Sequence, residues 1–185
     1  MLDTAVVAGQ ARGRNCRPPS GRVEVCNARY GNNGWLGVAQ IWITGGVHIT
    51  QGSVRLNDTY MDSPPYSTTA WHNLVSCQEV GHTFGLDHQD EDFTNPNLGT
   101  CMDYTTDPST NQHPNAHDYE ELEIIYAHLD SFSTVGGATP RGRPQSLDTR
   151  ASWGREVARS ADGRSSRFER DFGHGNKVIT FVIWA

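Results

Sequence analysis

The stretch Trp35-Leu36-Gly37-Val38-Ala39-Gln40-Ile41-Trp42-Ile43 is a nearly unbroken apolar run rich in aromatic and β-branched residues. That pattern predicts a buried central strand. Residues 48–57 mix polar and apolar positions, as in a half-exposed strand, and a shorter strand over 22–26 lies between turn-rich segments at 17–21 and 30–34. Asp62-Ser63-Pro64-Pro65 breaks the chain, after which Ser67, Thr68 and Thr69 offer N-caps for a helix. At about 100° per residue, Trp71, Leu74, Val75, Gln78 and His82 share one face of this helix, with Cys77, Val80 and Phe84 roughly opposite. Apolar residues on both sides predict a buried helix, inside which Gln78, Glu79 and His82 need partners. Gly85 is suited to end it in the left-handed conformation. After a polar loop over 90–111, a second helix is expected over 116–129, with Tyr119, Leu122, Ile125, Tyr126 and Leu129 turned inward. Residues 134–150 read as a linker, and the end as a hairpin of 168–172 and 178–184. No internal repeat is visible.

Composition narrows the class. Charged residues are 19% of the chain and glycine is abundant, at 19 residues, which suits a loop-rich extracellular protein. No apolar run approaches the ~20 residues of a membrane span. The first seven residues lack the basic start and long apolar stretch of a signal peptide. The expectation is therefore an exported chain whose N-terminal segment is not part of this sequence. The net charge of −6 divides unevenly: residues 1–133 hold 6 Lys/Arg against 16 Asp/Glu, and residues 134–185 hold 9 against 5. The acidic body argues against nucleic acid as a partner. Four cysteines, with no Cys-x-x-Cys pair, fit two disulfides, and three connectivities are open.

The chemistry concentrates in Gln78-Glu79-Val80-Gly81-His82-Thr83-Phe84-Gly85-Leu86-Asp87-His88. Positions i and i+4 of a helix share a face, so Gln78 and His82 can present ligand atoms to one point. Glu79 sits one position round, within reach of a water there. Gly85 reverses the chain and returns His88 as a further ligand. Three protein ligands with a fourth position open suit a catalytic zinc ion, with Glu79 as general base. His72 falls on another helix face, and His48, His113, His117, His128 and His174 show no ligand spacing. Asp90, Glu91, Asp92, Asn95 and Asn97 are oxygen donors that could take Ca2+, although the loop lacks EF-hand spacing and reads more simply as acidic and solvated. Asn57-Asp58-Thr59 is a glycosylation sequon.

This pattern resembles that of the metzincin zinc peptidases, His-Glu-x-x-His-x-x-Gly-x-x-His, at Glu79, His82, Gly85 and His88. A chance match at four such positions is expected in roughly one chain in several thousand. Cys101-Met102-Asp103-Tyr104 resembles the family's methionine turn as found in astacin-, serralysin- and pappalysin-like members. The resemblance covers about residues 22–130. It implies an α+β zincin domain with a small twisted mixed sheet, an active-site helix, Met102 as the floor of the site and Tyr104 as a stabiliser of the oxyanion. It also implies a protein or peptide substrate added in extended form to the sheet edge. In that layout the helix lies over the methionine turn, so Cys77–Cys101 is the expected bridge, with Cys16–Cys26 as a local staple.

The chain departs from the family at Gln78, which stands where the first histidine ligand belongs. The family's N-terminal strand and helix are abbreviated, and residues 134–185 match nothing. The expected organisation is a catalytic domain at 1–133, a linker at 134–150 and a hairpin appendage at 151–185. The expected protein is a secreted, monomeric zinc endopeptidase. A zincin fold kept for binding, with a degraded metal site, is the alternative.

Overall fold

The computed structural model describes residues 16–128 and 147–185. The three strands read from the early sequence form as β1 (Val23–Ala28), β2 (Trp35–Thr44) and β3 (His48–Asn57), followed by a one-turn helix α1 (Asp58–Met61). The main helix α2 spans Thr69–Thr83 and α3 spans Ala116–Ile125. The C-terminal part contributes β4 (Arg155–Arg159), β5 (Ser165–Gly173) and β6 (Asn176–Trp184). All six strands belong to one sheet in the order β1-β3-β2-β6-β5-β4. Only β1 and β3 run parallel; every other neighbouring pair is antiparallel. The α+β class is as expected.

The position of the C-terminal hairpin is not. Expected as an appendage, it forms the middle of the sheet: β6 pairs along β2 from Trp35↔Trp184 to Ile43↔Lys177. The physical reason lies in its composition. Val178, Thr180, Phe181, Val182 and Ile183 are all buried, and an apolar strand of this length cannot stay on an edge without exposing them. Residues 129–146, including Leu129 and most of the expected linker, lie outside the described residues. Leu147, also assigned to that linker, is buried.

Alternation along the strands gives the sheet two unlike faces. On one, Gly37, Ala39 and Ile41 of β2 and Ile179, Phe181 and Ile183 of β6 face α2 and the loop that follows it. The other carries Val38, Phe168 and Val182, covered by Trp153. Beside that cluster is a buried polar network. Arg55 donates to the side chain of Gln40, to the Leu147 carbonyl and to Asp148, while Gln40 donates to Leu147 O and Thr180 Oγ1, both at 3.1 Å. A buried guanidinium needs several acceptors, and the segment returning after residue 146 supplies two of them.

Both disulfides are present as expected, Cys16–Cys26 and Cys77–Cys101. One motif is qualified by the fold and one sequence expectation is corrected. Asn57 is completely buried and its amide donates to Gly31 O, Asn33 Oδ1 and Trp35 O, so the sequon offers no glycan acceptor in the folded chain. Tyr119 is 57% exposed rather than turned inward. The inward position of that first turn belongs to Asp118, which accepts from the Thr100 hydroxyl and the Gln89 amide and closes a capping box with Asn115. Asp118, Leu122 and Ile125 then define the inner face, and Tyr119 falls some 100° away from the first of these.

Candidate functional site

Helix α2 begins at Thr68, whose hydroxyl accepts from the Trp71 N–H, and ends at Phe84. The exit is a Schellman turn: the Gly85 N–H donates to His82 O and the Leu86 N–H to Gly81 O. Gly85 has φ +96°, the left-handed conformation expected of it. The turn redirects the Leu86 carbonyl toward His82, whose Nδ1 lies 2.9 Å away. A carbonyl only accepts, so Nδ1 carries the proton and Nε2 keeps its lone pair. This is how a metal-binding histidine is usually oriented by its surroundings.

His88 arrives next to His82, with ring centroids 4.5 Å apart and nearly perpendicular. It is held by pairing of the following residues with the segment around Met102: the Gln89 N–H donates to Met102 O and the Tyr104 N–H to Asp90 O. His88 Nδ1 faces the Glu91 carboxylate at 3.8 Å, a contact that holds Glu91 below the usual carboxylate range. Tyr104 stacks against Phe93 at 4.5 Å and tilts over His88 at 4.1 Å. Met102 is fully buried beneath α2, where Gly81 leaves it room: a Cβ at position 81 would lie 2.6 Å from the Met102 sulfur. The disulfide Cys77–Cys101 ties the same two segments together.

Glu79 is buried, with the Ala39 and Ile183 backbone amides close to its carboxyl. Its Oε2 has no partner. Burial pushes its pKa well above the ordinary value, and the two amides offset this only in part. Burial and the nearby His88 push His82 well below the ordinary imidazole value, so it is neutral. Tyr104 is driven up by burial and keeps its proton.

Gln78 is 1% exposed, and neither atom of its amide has a hydrogen-bond partner. The same holds for Glu79 Oε2 and His88 Nε2. An unsatisfied buried polar group costs about 1–3 kcal/mol; such atoms also occur on Tyr30, Ser53, Arg55, Asn95 and Asp103, and these four stand apart in falling together on the motif residues. They fit a site that receives a polar ligand or a metal ion. Among the described residues, no group of three or more His, Cys, Asp or Glu is arranged to hold a metal. Zinc here would rest on His82 and His88, with the Gln78 amide as third donor. Of the side chains considered for Ca2+, Asp90 and Asp92 accept from the N–H groups of Asp92 and Thr94, Asn97 donates to Asp107 O, Glu91 faces His88, and Asn95 Oδ1 has no partner.

Sequence reasoning missed several residues. Gly37 faces Glu79 directly; a Cβ there would lie 2.6 Å from Oε1 and 2.8 Å from Val75 Cγ1. A glycine inside an apolar strand is itself a sign of close approach, so this one was open to discovery. Gly37→Ala is expected to destabilise the fold by about 1–3 kcal/mol through overpacking, measured by urea unfolding, and an unchanged midpoint would refute the close contact. Phe181, Ser165 and Arg167 carried no local signal. The Phe181 ring stacks on His82 at 4.0 Å, the Ser165 hydroxyl lies beside that of Tyr104, and Arg167 pairs with Asp87. Among known proteins, no family model, no curated protein and no solved structure matches this chain.

Proposed function

We propose that this chain is an extracellular, metzincin-like zinc endopeptidase, with zinc held by Gln78, His82 and His88. The observation that carries this reading is the set of partnerless buried atoms on Gln78, Glu79 and His88, on the face of α2 and at the turn where the motif would place them. Zinc bound there supplies Lewis acidity, which acidifies water and polarises a carbonyl.

The residues have separable roles. The partnerless Glu79 Oε2 is free to take a proton and later deliver it to the leaving amine. Its raised pKa suits a group that must hold that proton for part of the cycle. Tyr104 keeps its hydroxyl proton and can donate it in a hydrogen bond to a developing oxyanion. His82 is fixed in one tautomer by the Leu86 carbonyl. Two disulfides accord with an exported protein.

The test is zinc content per chain by elemental analysis, with cleavage of an unfolded protein measured with and without a chelator. No zinc and no chelator-sensitive cleavage would rule the proposal out. Gln78→His is the sharper probe. Exchanging a neutral amide for imidazole should tighten zinc binding at least about tenfold, or 1.4 kcal/mol; unchanged affinity would show that position 78 does not face the metal.

A further inference from the structure

Any extended segment that pairs with the edge of β2 must pass across the candidate site. β2 places Gly37 against Glu79, and its Ala39 backbone amide lies close to the same carboxyl. A peptide laid along that edge would hydrogen-bond β2 and present every second side chain to α2 and the loop carrying His88. In this molecule the chain's own strand β6 is laid there.

The contacts of β6 and its partner β5 converge on the residues assigned to catalysis. The Ile183 backbone amide lies close to the Glu79 carboxyl, and the Phe181 ring lies parallel to the His82 ring, 6° between planes. Register sets Ser165 opposite Ile183 and Arg167 opposite Phe181, so these two β5 side chains emerge on the same face. There the Ser165 hydroxyl lies beside that of Tyr104 and Arg167 closes over Asp87. One step beyond β5, Arg164 sits over the Phe93 ring that stacks on Tyr104. A strand that only completed the sheet would need backbone pairing and apolar side chains; these polar and stacking contacts reach specifically into the site.

We infer that β6 is an internal occupant of the substrate-binding edge, so that the chain is held latent by its own C-terminal strand and acts on other chains only when β6 moves off β2. This rests on the zinc-peptidase reading above, which it deepens by naming what occupies the cleft.

The experiment uses the full chain loaded with Co2+, whose visible absorption reports both metal binding and any new ligand. Acetohydroxamate is the small probe added to it. The wild type is expected to bind one Co2+ and to admit acetohydroxamate slowly. Phe181→Ala, which removes the ring from His82, should admit it at least tenfold faster. Phe181→Leu, a milder change that keeps the fold should the alanine variant lose it, should fall between the two. Amide hydrogen exchange over 176–184 should quicken in the same order. Metal binding with equal probe access in all three chains would overturn the latency inference and leave the zinc site standing. Faster access with unchanged exchange would also overturn it, because the ring alone would then be the cover. No Co2+ spectrum in any of the chains would remove the metal site, and the inference with it.

Discussion

Glu79→Gln is expected to cut hydrolysis of an unfolded protein substrate by about 10²–10⁴-fold, with zinc content per chain unchanged. The substitution is nearly isosteric. The introduced amide fills the same volume against Gly37, so the side chain keeps its place. What disappears is Oε2, the one carboxylate oxygen without a partner, and with it the ability to take up a proton. Stability should hold or rise slightly, since a buried group that resists ionisation is replaced by a neutral one. The comparison should be made in the wild type and in Phe181→Leu, where the cleft is expected to be more open. Retained turnover in either background would remove Glu79 from catalysis, whatever the metal content.

The second large effect concerns the far face of the sheet. Trp153→Ala should lower the unfolding free energy by about 3–5 kcal/mol, in one cooperative transition that includes the site. Trp153 is 2% exposed and packs edge-on against Phe168 at 5.3 Å, beside Trp35, Val38 and Val182. Its indole N–H also donates to Leu147 O, the carbonyl shared with Gln40 and Arg55. Removing the ring therefore leaves a cavity and loosens a buried polar network at once. If residues 151–185 were an independent hairpin, the unfolding curve would split and the His82 region would be untouched. Two resolved transitions would contradict the single sheet.

The contrast between these two faces shows what could be read from the chain alone. Elements defined by their own residues were legible: the apolar run 35–43, the helix begun by a Thr and stopped by Gly85, and the approach of Cys77 to Cys101 once the resemblance was in view. The position of His88 beside His82 was legible because a glycine-terminated helix turns back over a short, fixed distance. The location of β6 was not. Hydrophobicity at 178–184 announced that the strand must be buried, but burial against β2, against another edge or against a second chain leaves the same local pattern. The residues that reach into the site from β5 and β6 were invisible for the same cause. Ser165, Arg167 and Phe181 become meaningful only once register is known, because a one-residue slip would send all three to the opposite face. Gly37 lies between these cases: its type hinted at a close neighbour, and only the fold identified that neighbour as Glu79.

The pairing of β2 with β6 also bears on how the protein is made. Gln40 and Thr180, hydrogen-bonded across that pair, are 140 residues apart in sequence. At ribosomal rates of about 5–20 residues per second, β2 waits roughly 7–28 s for its partner. Throughout that interval one edge of a nearly continuous apolar strand is bare, and such an edge readily recruits another chain. The nascent protein thus passes its most aggregation-prone period with the chemistry-bearing half already synthesised and the strand that covers it still to come. Yield of soluble protein should accordingly depend on how quickly translation proceeds from β3 to β6, more than on the stability of the finished fold.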